Sequence, residues 1–189
     1  TKGSALTYAE LDENFRDLDE DMTLERVIEN DYAKSAGTVL QVKHATQGGV
    51  AAYSTGSGTN NSANTGLSVT ITPKYADSEI YIDFSVFLGQ SHYQVKLYLV
   101  RAVGTHTANA GTHTTIGTGN EFNGRPRATA VGIPYDDVAA TNDYQLTNLT
   151  NFIVDRPNTT DTVTYYLKMA ALNGETVYLN RSRVFSNGT

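Results

Sequence analysis

Histidine and aspartate are the residues of this 189-residue chain whose types and spacing could support chemistry. His106 and His113 are seven positions apart, and each lies in a Gly-Thr-His-Thr segment, at 104–107 and 111–114. A three-fold axis could gather copies of one histidine around a metal ion, because neutral imidazole is a common ligand. No fixed scaffold is visible around either histidine. We therefore interpret both as loop histidines and expect neither a metal nor another cofactor.

Two adjacent carboxylates, Asp136 and Asp137, offer the other possible chemistry. They could form the acid–base pair of a polysaccharide depolymerase or contribute calcium ligands, but neighbouring residues on a strand point in opposite directions. The sequence contains no HExxH, GxSxG, GxxxxGK[ST] or GxGxxG pattern. It also contains no cysteine, which excludes thiolate metal sites and cysteine nucleophiles. We predict a protein without enzymatic activity and keep a depolymerase as the less favoured alternative.

The elements that would position these residues are mainly β-strands. From residue 38 onward, apolar and polar residues alternate with the period of two that is typical of strands. This alternation is clearest at 80–88 and 163–169; further predicted strands lie at 39–43, 67–72, 94–101, 127–133, 146–154 and 176–185, with a hairpin turn at Asn173-Gly174. About eight strands at this spacing predict an antiparallel β-sandwich or jelly roll.

Two polar segments between the predicted strands, at 54–65 and 104–119, are interpreted as exposed loop tips. Flexible connections and a variable contact surface both fit this composition, and the second is common on rigid β scaffolds. If these tips contact a receptor, the candidate side chains are Asn60, Asn61, His106, Asn109 and His113. The outward positions of the strands favour Tyr, Thr and Asn over charged residues, which also fits a buried interface.

The N-terminal segment has a different pattern. Residues 7–10 match the pattern of a capping box, and a helix is predicted from Tyr8 to about Glu29. Its apolar residues are spaced three and four apart, which places Tyr8, Leu11, Phe15, Leu18 and Met22 on one narrow seam. The helix could lie on its own β domain. We favour a seam that is buried against other copies or a larger partner, with residues 1–36 as an anchoring and oligomerisation segment and 37–189 as a β head.

Charge is distributed unevenly along the chain. Residues 8–30 contain nine acidic side chains against two basic ones, whereas the rest of the chain is nearly balanced within a total of −6. A nearly neutral body lacks the clustered cations that nucleic-acid binding requires. No apolar stretch is long enough for a transmembrane helix. We therefore expect neither nucleic-acid binding nor membrane insertion.

Several segments resemble structural proteins of tailed bacteriophages, especially those of marine and cyanobacterial phages. Residues 2–15, KGSALTYAELDENF, are similar to the LTYAELDxNF opening of such proteins. Residues 37–42, 67–73, 163–168 and 176–182 resemble, in that order, a β domain of phage tail fibres and virion surface fibres. The resemblance covers most of the chain. The chain is nevertheless short for a complete tail fibre and has no long repetitive shaft.

The resemblance implies a homotrimeric appendage of the virion, assembled in the host cytoplasm, with an N-terminal helix on a tail adaptor or the capsid and a distal β head. The expected function is that of a fibre or knob whose head contributes to attachment to the host surface, with a surface glycan as the natural receptor. A decoration protein that stabilises the capsid is the alternative. A third class is a cellular lectin that belongs to no particle. In that case, removal of residues 1–30 would leave the quaternary state unchanged.

Overall fold

The computed structural model describes residues 37–54, 62–90, 95–107, 110–120, 127–132, 146–171 and 176–182, with only the backbone described at 90, 105–107 and 110–112. The chain divides into two units, Thr1–Val42 and Lys43–Thr189. In the first unit, residues 37–42 have no regular secondary structure and are mostly exposed. The predicted N-terminal helix lies outside the described residues.

The described part of the second unit is a β structure without helices. Its nine strands are β1 (Ala51–Ser54), β2 (Ala63–Ile71), β3 (Ile80–Gln90), β4 (Val95–Thr107), β5 (Ala110–Ile116), β6 (Ala130–Gly132), β7 (Thr147–Asp155), β8 (Val163–Ala171) and β9 (Thr176–Leu179). The mainly β class and the antiparallel pairing predicted from the alternation are confirmed.

The strands form two antiparallel sheets. The four-stranded sheet has the order β1-β9-β3-β7, and the five-stranded sheet has the order β2-β8-β4-β5, with β6 also paired to β4. If β6 is set aside, the pairs are nested: β1 with β9, β2 with β8, β3 with β7, and β4 with β5. Most pairings therefore join residues that are distant in sequence.

Side chains from both sheets form one hydrophobic core. The alternation in β3 directs Phe84, Val86 and Leu88 inward, and the same rule places Leu97 and Leu99 of β4 in the core. Strand β8 differs because eight of its nine residues are buried, so both of its faces are covered. Its sequence reads as a nearly continuous apolar and aromatic run, as expected for a strand without a solvated side.

Strand β7 is tied to the other sheet at its edge by a polar junction. The Thr129 hydroxyl accepts a hydrogen bond from the Leu99 backbone N–H and donates one to the Ile116 carbonyl, at 2.9 and 2.8 Å. The Asn151 side chain on β7 donates to the Thr129 carbonyl at 3.0 Å. One threonine thus connects β4, the end of β5 and β7.

Three sequence predictions are wrong in detail. Residues 39–43 form no strand, and Val39 and Val42 are 75% and 80% exposed, because no neighbouring strand pairs with this segment. Strands β8 and β9, which flank the hairpin turn predicted at 173–174, do not form a hairpin, because they belong to different sheets. The predicted strand at 176–185 ends at Leu179, after which Asn180 takes a positive φ of 54°.

The segment 104–119 is also not a long loop. The two Gly-Thr-His-Thr copies lie on opposite strands of the β4–β5 hairpin, where Val103 pairs with Thr112 and Thr107 with Ala110. Alternating threonines suit a pleated strand, because a β-branched side chain packs well against its cross-strand neighbours. His106 therefore lies within β4 and His113 within β5, so the prediction of loop histidines is wrong for both.

Candidate functional site

The most exposed aromatic cluster of the described residues lies on the outer side of the four-stranded sheet. We call it the β3–β7 face and define it by Tyr81, Phe87, Phe152 and Val154, which are 64%, 44%, 60% and 40% exposed. These residues point outward because they alternate with the buried side chains of β3 and β7. In the ladder, Tyr81 pairs with Val154 and Asp83 with Phe152. The Tyr81 and Phe152 ring centroids are 5.7 Å apart, with a 35° angle between the rings.

An ion pair borders this face at one end. The Arg156 guanidinium donates to the Glu79 carboxylate from Nε at 2.8 Å and also from a terminal nitrogen. The Tyr81 hydroxyl donates to the other oxygen of Glu79 at 3.2 Å. The hydrogen bond and charge of Arg156 lower the pKa of Glu79 below its usual value. The polar atom of Tyr81 is therefore satisfied within the chain, and its ring remains available for contact.

The middle of the face is polar but contains only one charge among the described residues. The Ser85 hydroxyl donates to the Asn148 side-chain oxygen at 3.1 Å. The Asp83 carboxylate, opposite Phe152, has no hydrogen-bond or ion-pair partner within the part of the chain that is described. Unpaired carboxylates are costly to bury, so Asp83 limits how far a contact could extend over this face.

At the other end of the sheet, the backbone of residues 181–182 passes close to the backbone of β3 at Gly89. A Cβ atom at Gly89 would lie 2.8 Å from the Ser182 Cα and would collide with the Arg181 carbonyl. Only glycine permits this approach of two backbones. The Arg181 guanidinium carbon lies 4.3 Å from the centroid of the Tyr178 ring, in the geometry of a cation–π contact.

The outer side of the five-stranded sheet is built differently. We call it the β4–β8 face and define it by Lys96, Tyr98, Val100, Ala102 and Tyr166. Except for the half-buried Tyr98, its members are at most 8% exposed. Burial raises the pKa of Tyr98 and Tyr166. Apart from Lys96, this face is apolar and aromatic like the β3–β7 face, but its side chains are mostly buried.

His113 reaches the edge of the β4–β8 face. Its Nδ1 atom lies 2.7 Å from the Tyr166 hydroxyl oxygen, and the two rings meet edge to face with centroids 6.0 Å apart. The imidazole is thus held by an aromatic neighbour on the sheet surface and not presented from a loop. This geometry fixes the orientation of the ring relative to the sheet.

A buried polar group joins the two sheets in the interior. Arg101 donates to both oxygens of Asp155, at 2.8 and 3.0 Å, and the Tyr165 hydroxyl donates to Asp155 at 2.7 Å. Asp155 and Tyr165 are 8% and 2% exposed. Burial and the adjacent carboxylate strongly raise the pKa of Tyr165. The three side chains satisfy most of one another's polar atoms, so this group has the character of a structural link between β4, β7 and β8.

An open groove of about 260 Å³ lies beside β3, lined by Gln47, Leu67, Ser85, Phe87 and Asn180 among others. The Asn180 side chain donates to the carbonyls of Gln47 and Gly49 at 2.7 and 3.0 Å, and its backbone N–H donates to the Phe87 carbonyl at 2.9 Å. These bonds hold the 47–49 segment against the sheet. No titratable side chain lines the groove, so it offers contact surface and no acid–base group.

The residues predicted from sequence are distributed as follows. Tyr8, Leu11, Phe15, Leu18 and Met22 of the seam lie outside the described residues, as do Asn60, Asn61, Asn109, Asp136 and Asp137. The backbone of His106 is in β4, and the exposed His113 is in β5. Of the candidate receptor residues, only His113 has a described side chain.

Among the described residues, no group of three or more His, Cys, Asp or Glu side chains could hold a metal ion. The same residues include no helix that is long and apolar enough to cross a membrane. The β3–β7 face can pack against another apolar surface and stack on flat rings, so its chemistry is that of binding.

Comparison with protein-family models, with curated proteins and with solved structures found no match in any of the three.

The β3–β7 face was not among the predicted sites, although the sequence contains its signal. Tyr81 and Phe87 occupy outward positions of the clearest predicted strand, where a solvated face would contain charged residues. Phe152 and Val154 occupy the corresponding outward positions of β7, the strand that pairs with β3. What the sequence does not reveal is that β3 pairs with β7, which lies far along the chain, so that the aromatic residues of the two strands meet.

Proposed function

We propose that this chain is a structural protein of a tailed-phage particle, a fibre- or knob-like appendage with an anchoring N-terminal segment and a distal β head. The observation that carries the proposal is the nested pairing of the strands. Pairing of the first strand with the last, the second with the next to last, and so on inward, is the arrangement of a jelly roll. Jelly rolls occur in viral capsid proteins, lectin domains and cupins.

The topology alone would not select a virion role, because one fold serves many functions. The composition of the two segments supports the choice. An acidic segment with one apolar seam precedes a β body that is nearly uncharged, which fits a division between attachment to the particle and contact with the surroundings. The similarity of residues 2–15 to the opening of phage structural proteins points the same way.

Attachment to a host-surface glycan is the part of the proposal that concerns the head. Several weak sites on one particle can bind far more tightly than a single site, so individual contacts need little area. The second candidate function is decoration of the capsid. It is favoured by the exposed aromatic residues of the β3–β7 face, which could pack on a neighbouring virion protein.

The location can be tested on particles of the phage that encodes the chain. Antibodies against the full chain should label the particle surface in electron micrographs. Purified full-length chain should bind to particles that lack it, and the variant Phe15→Ser/Leu18→Ser should not. The control is Asp17→Ser/Glu20→Ser, which changes the same predicted helix outside its seam. Particles that contain no copy of the chain would refute the proposal.

The role of the head can be tested with polysaccharide from the host surface. Binding without shortening of the polymer supports attachment, whereas shortening supports the depolymerase. If the chain labels the particle but binds no host polysaccharide, and particles without it are less resistant to heat, the decoration function replaces attachment.

A further inference from the structure

We propose that the groove beside β3 is a binding site for a single uncharged sugar residue of a host-surface glycan. This inference rests on the proposed function, which expects the head to attach to a glycan, and it names the site and the class of ligand. The groove was not among the receptor positions predicted from sequence, which all fell on the two polar segments at 54–65 and 104–119.

The groove exists because one strand of the four-stranded sheet is much shorter than its neighbour. Strand β9 pairs with β3 only at residues 88–90, whereas β3 continues back to Ile80 along β7. Strand β9 ends at Leu179, and Asn180 then takes its positive φ of 54°. The place beside residues 85–87 that a longer β9 would fill is therefore open, and residues 45–47 line it as well.

The end of β9 leaves backbone hydrogen-bonding groups of β3 open to the groove. The Phe87 carbonyl accepts from the Asn180 N–H at 2.9 Å, so Phe87 directs its backbone groups to the β9 side of the strand. Because these directions alternate along a strand, Ser85 directs its N–H and its carbonyl to the same side. Within the described part of the chain neither group has a partner, so Ser85 offers one donor and one acceptor.

Two side-chain amides add to this set. The Gln47 side chain makes no hydrogen bond with the residues that the structure describes, and the Asn180 side chain uses only its nitrogen, which donates to the carbonyls of Gln47 and Gly49. The side-chain oxygen of Asn180 has no partner among the same residues. A sugar hydroxyl both donates and accepts, so it needs donors and acceptors close together, and the groove provides both.

The rest of the lining matches the apolar parts of a sugar ring. Leu67, Val86 and Leu179 line the groove and belong to the hydrophobic core or pack against it. Phe87 points outward and is 44% exposed, so its ring is available at the groove. The C–H groups of a sugar ring form an apolar surface, which packs well on an aromatic ring. A few polar groups in an apolar lining are the usual composition of a small-molecule site.

Volume and charge define the ligand further. At about 260 Å³ the groove is smaller than the ~300–1,000 Å³ that is typical of sites for drug-sized ligands, which fits one sugar ring and not a longer chain. None of the lining residues is charged, so nothing in the groove would compensate a carboxylate or phosphate for its lost hydration. The lining thus favours a neutral sugar over an acidic one. A single ring binds weakly, and several copies on one particle would supply the strength.

Heteronuclear NMR of the isotopically labelled full-length chain tests the site directly. Glucose, galactose and N-acetylglucosamine are added separately, with glucuronic and galacturonic acids as the charged counterparts. We expect at least one neutral sugar to shift the side-chain amide signals of Gln47 and Asn180, with a dissociation constant on the order of 1 mM. Its charged counterpart should bind about tenfold more weakly.

Variants separate this site from the rest of the surface. Phe87→Ser removes the ring at the groove and should raise the dissociation constant of the sugar at least about fivefold. Gln47→Leu keeps a side chain of similar size but removes its amide, and it should have a similar effect. The matched control is Phe152→Ser, which removes a more exposed ring from the same side of the sheet and should leave the constant unchanged. Circular dichroism confirms that each variant folds.

The inference fails if no neutral sugar at ~50 mM shifts the Gln47 or Asn180 signals, or if the shifts fall only on other residues. Equal effects of Phe87→Ser and Phe152→Ser on the dissociation constant, or equal binding of neutral and acidic sugars, would also overturn it. None of these results bears on whether antibodies label the particle, so the proposed virion role would stand. Conversely, a chain that is absent from particles but binds a neutral sugar in the groove would refute the proposed function and support the site.

Discussion

The outer faces of the two sheets have similar residue types but different environments. The β3–β7 face leaves Tyr81 and Phe152 more than half exposed, whereas the β4–β8 face buries Tyr166 to 7% and Val100 to 5%. Both faces follow the same alternation along their strands. The comparison shows that alternation separates inward from outward residues but does not reveal whether the outward side meets water. An aromatic residue at an outward position is either a covered part of the fold or an open surface for binding.

The largest effect is expected at the buried polar group that joins the two sheets, because it links strands on both sides of the shared core. Asp155→Ala leaves Arg101 in the interior without its counter-ion and removes the acceptor of Tyr165. We expect a loss of about 3 kcal/mol in the free energy of unfolding, at the lower end for a broken buried pair because Arg101 keeps some contact with water.

Urea denaturation at neutral pH measures this loss. The matched control is Glu79→Ala, which removes the acid of the exposed pair with Arg156 and should cost far less than Asp155→Ala, because water screens that pair. The double variant Arg101→Met/Asp155→Leu should regain part of the stability, because it removes both charges. Equal losses in the free energy of unfolding for Asp155→Ala and Glu79→Ala would show that the interior pair stabilises the fold no more than the exposed pair does.

An identical substitution on each face tests the comparison directly. Tyr166→Ser removes a buried ring together with its contact to His113, and we expect it to cost about 3 kcal/mol. Tyr81→Ser removes an exposed ring and should cost less than about 1 kcal/mol. Urea midpoints of the two variants give the difference. If both variants lose similar stability, the β3–β7 face is already covered within a single chain and is not a free surface.

The close backbone crossing on the four-stranded sheet gives a smaller effect. Gly89→Ala would place a methyl group against the backbone of residues 181 and 182, which cannot move as a flexible side chain would. We expect a loss of about 2 kcal/mol, as for overpacking elsewhere. The control Gly48→Ala adds a methyl group in open space and should change stability by less than about 0.5 kcal/mol. Thermal unfolding of both variants checks the pair.

Much of this fold could be predicted from residue patterns. The alternation at 80–88 and 163–169 identified the central strands β3 and β8, because a long run of period two matches the pleat of a strand and does not match the turn of a helix. The β4–β5 hairpin was not predicted, since its Gly, Thr and Asn residues are also typical of loops. The sequence predicted a sandwich or a jelly roll but not which strands pair, because the pairing depends on contacts between residues that lie far apart in the chain. The β3–β7 face is a product of that pairing, so composition alone could only indicate that some outward face is suited to contact.

Ionisation of the buried tyrosines is expected to have the smallest effect on the free energy of unfolding at neutral pH. The effect becomes large only in alkaline solution. Burial raises the pKa of Tyr98 and Tyr166 on the β4–β8 face, and burial with the Asp155 carboxylate raises that of Tyr165. In the unfolded chain these phenols ionise near pH ~10. Folding therefore favours their neutral form, and the stability they contribute is complete below that pH and is lost as the pH rises above it.

Tyrosinate absorbance recorded during an alkaline titration should show a late fraction that ionises together with unfolding. Tyr98→Phe and Tyr166→Phe should each reduce the amplitude of the late fraction, because each removes one buried phenol. Tyr98→Phe is the cleaner variant, since the Tyr98 hydroxyl is buried without a hydrogen-bond partner among the described residues and its removal breaks no described bond. A single early step that includes all tyrosines of the folded chain would mean that water reaches the β4–β8 face, and the contrast between the two faces would then fail.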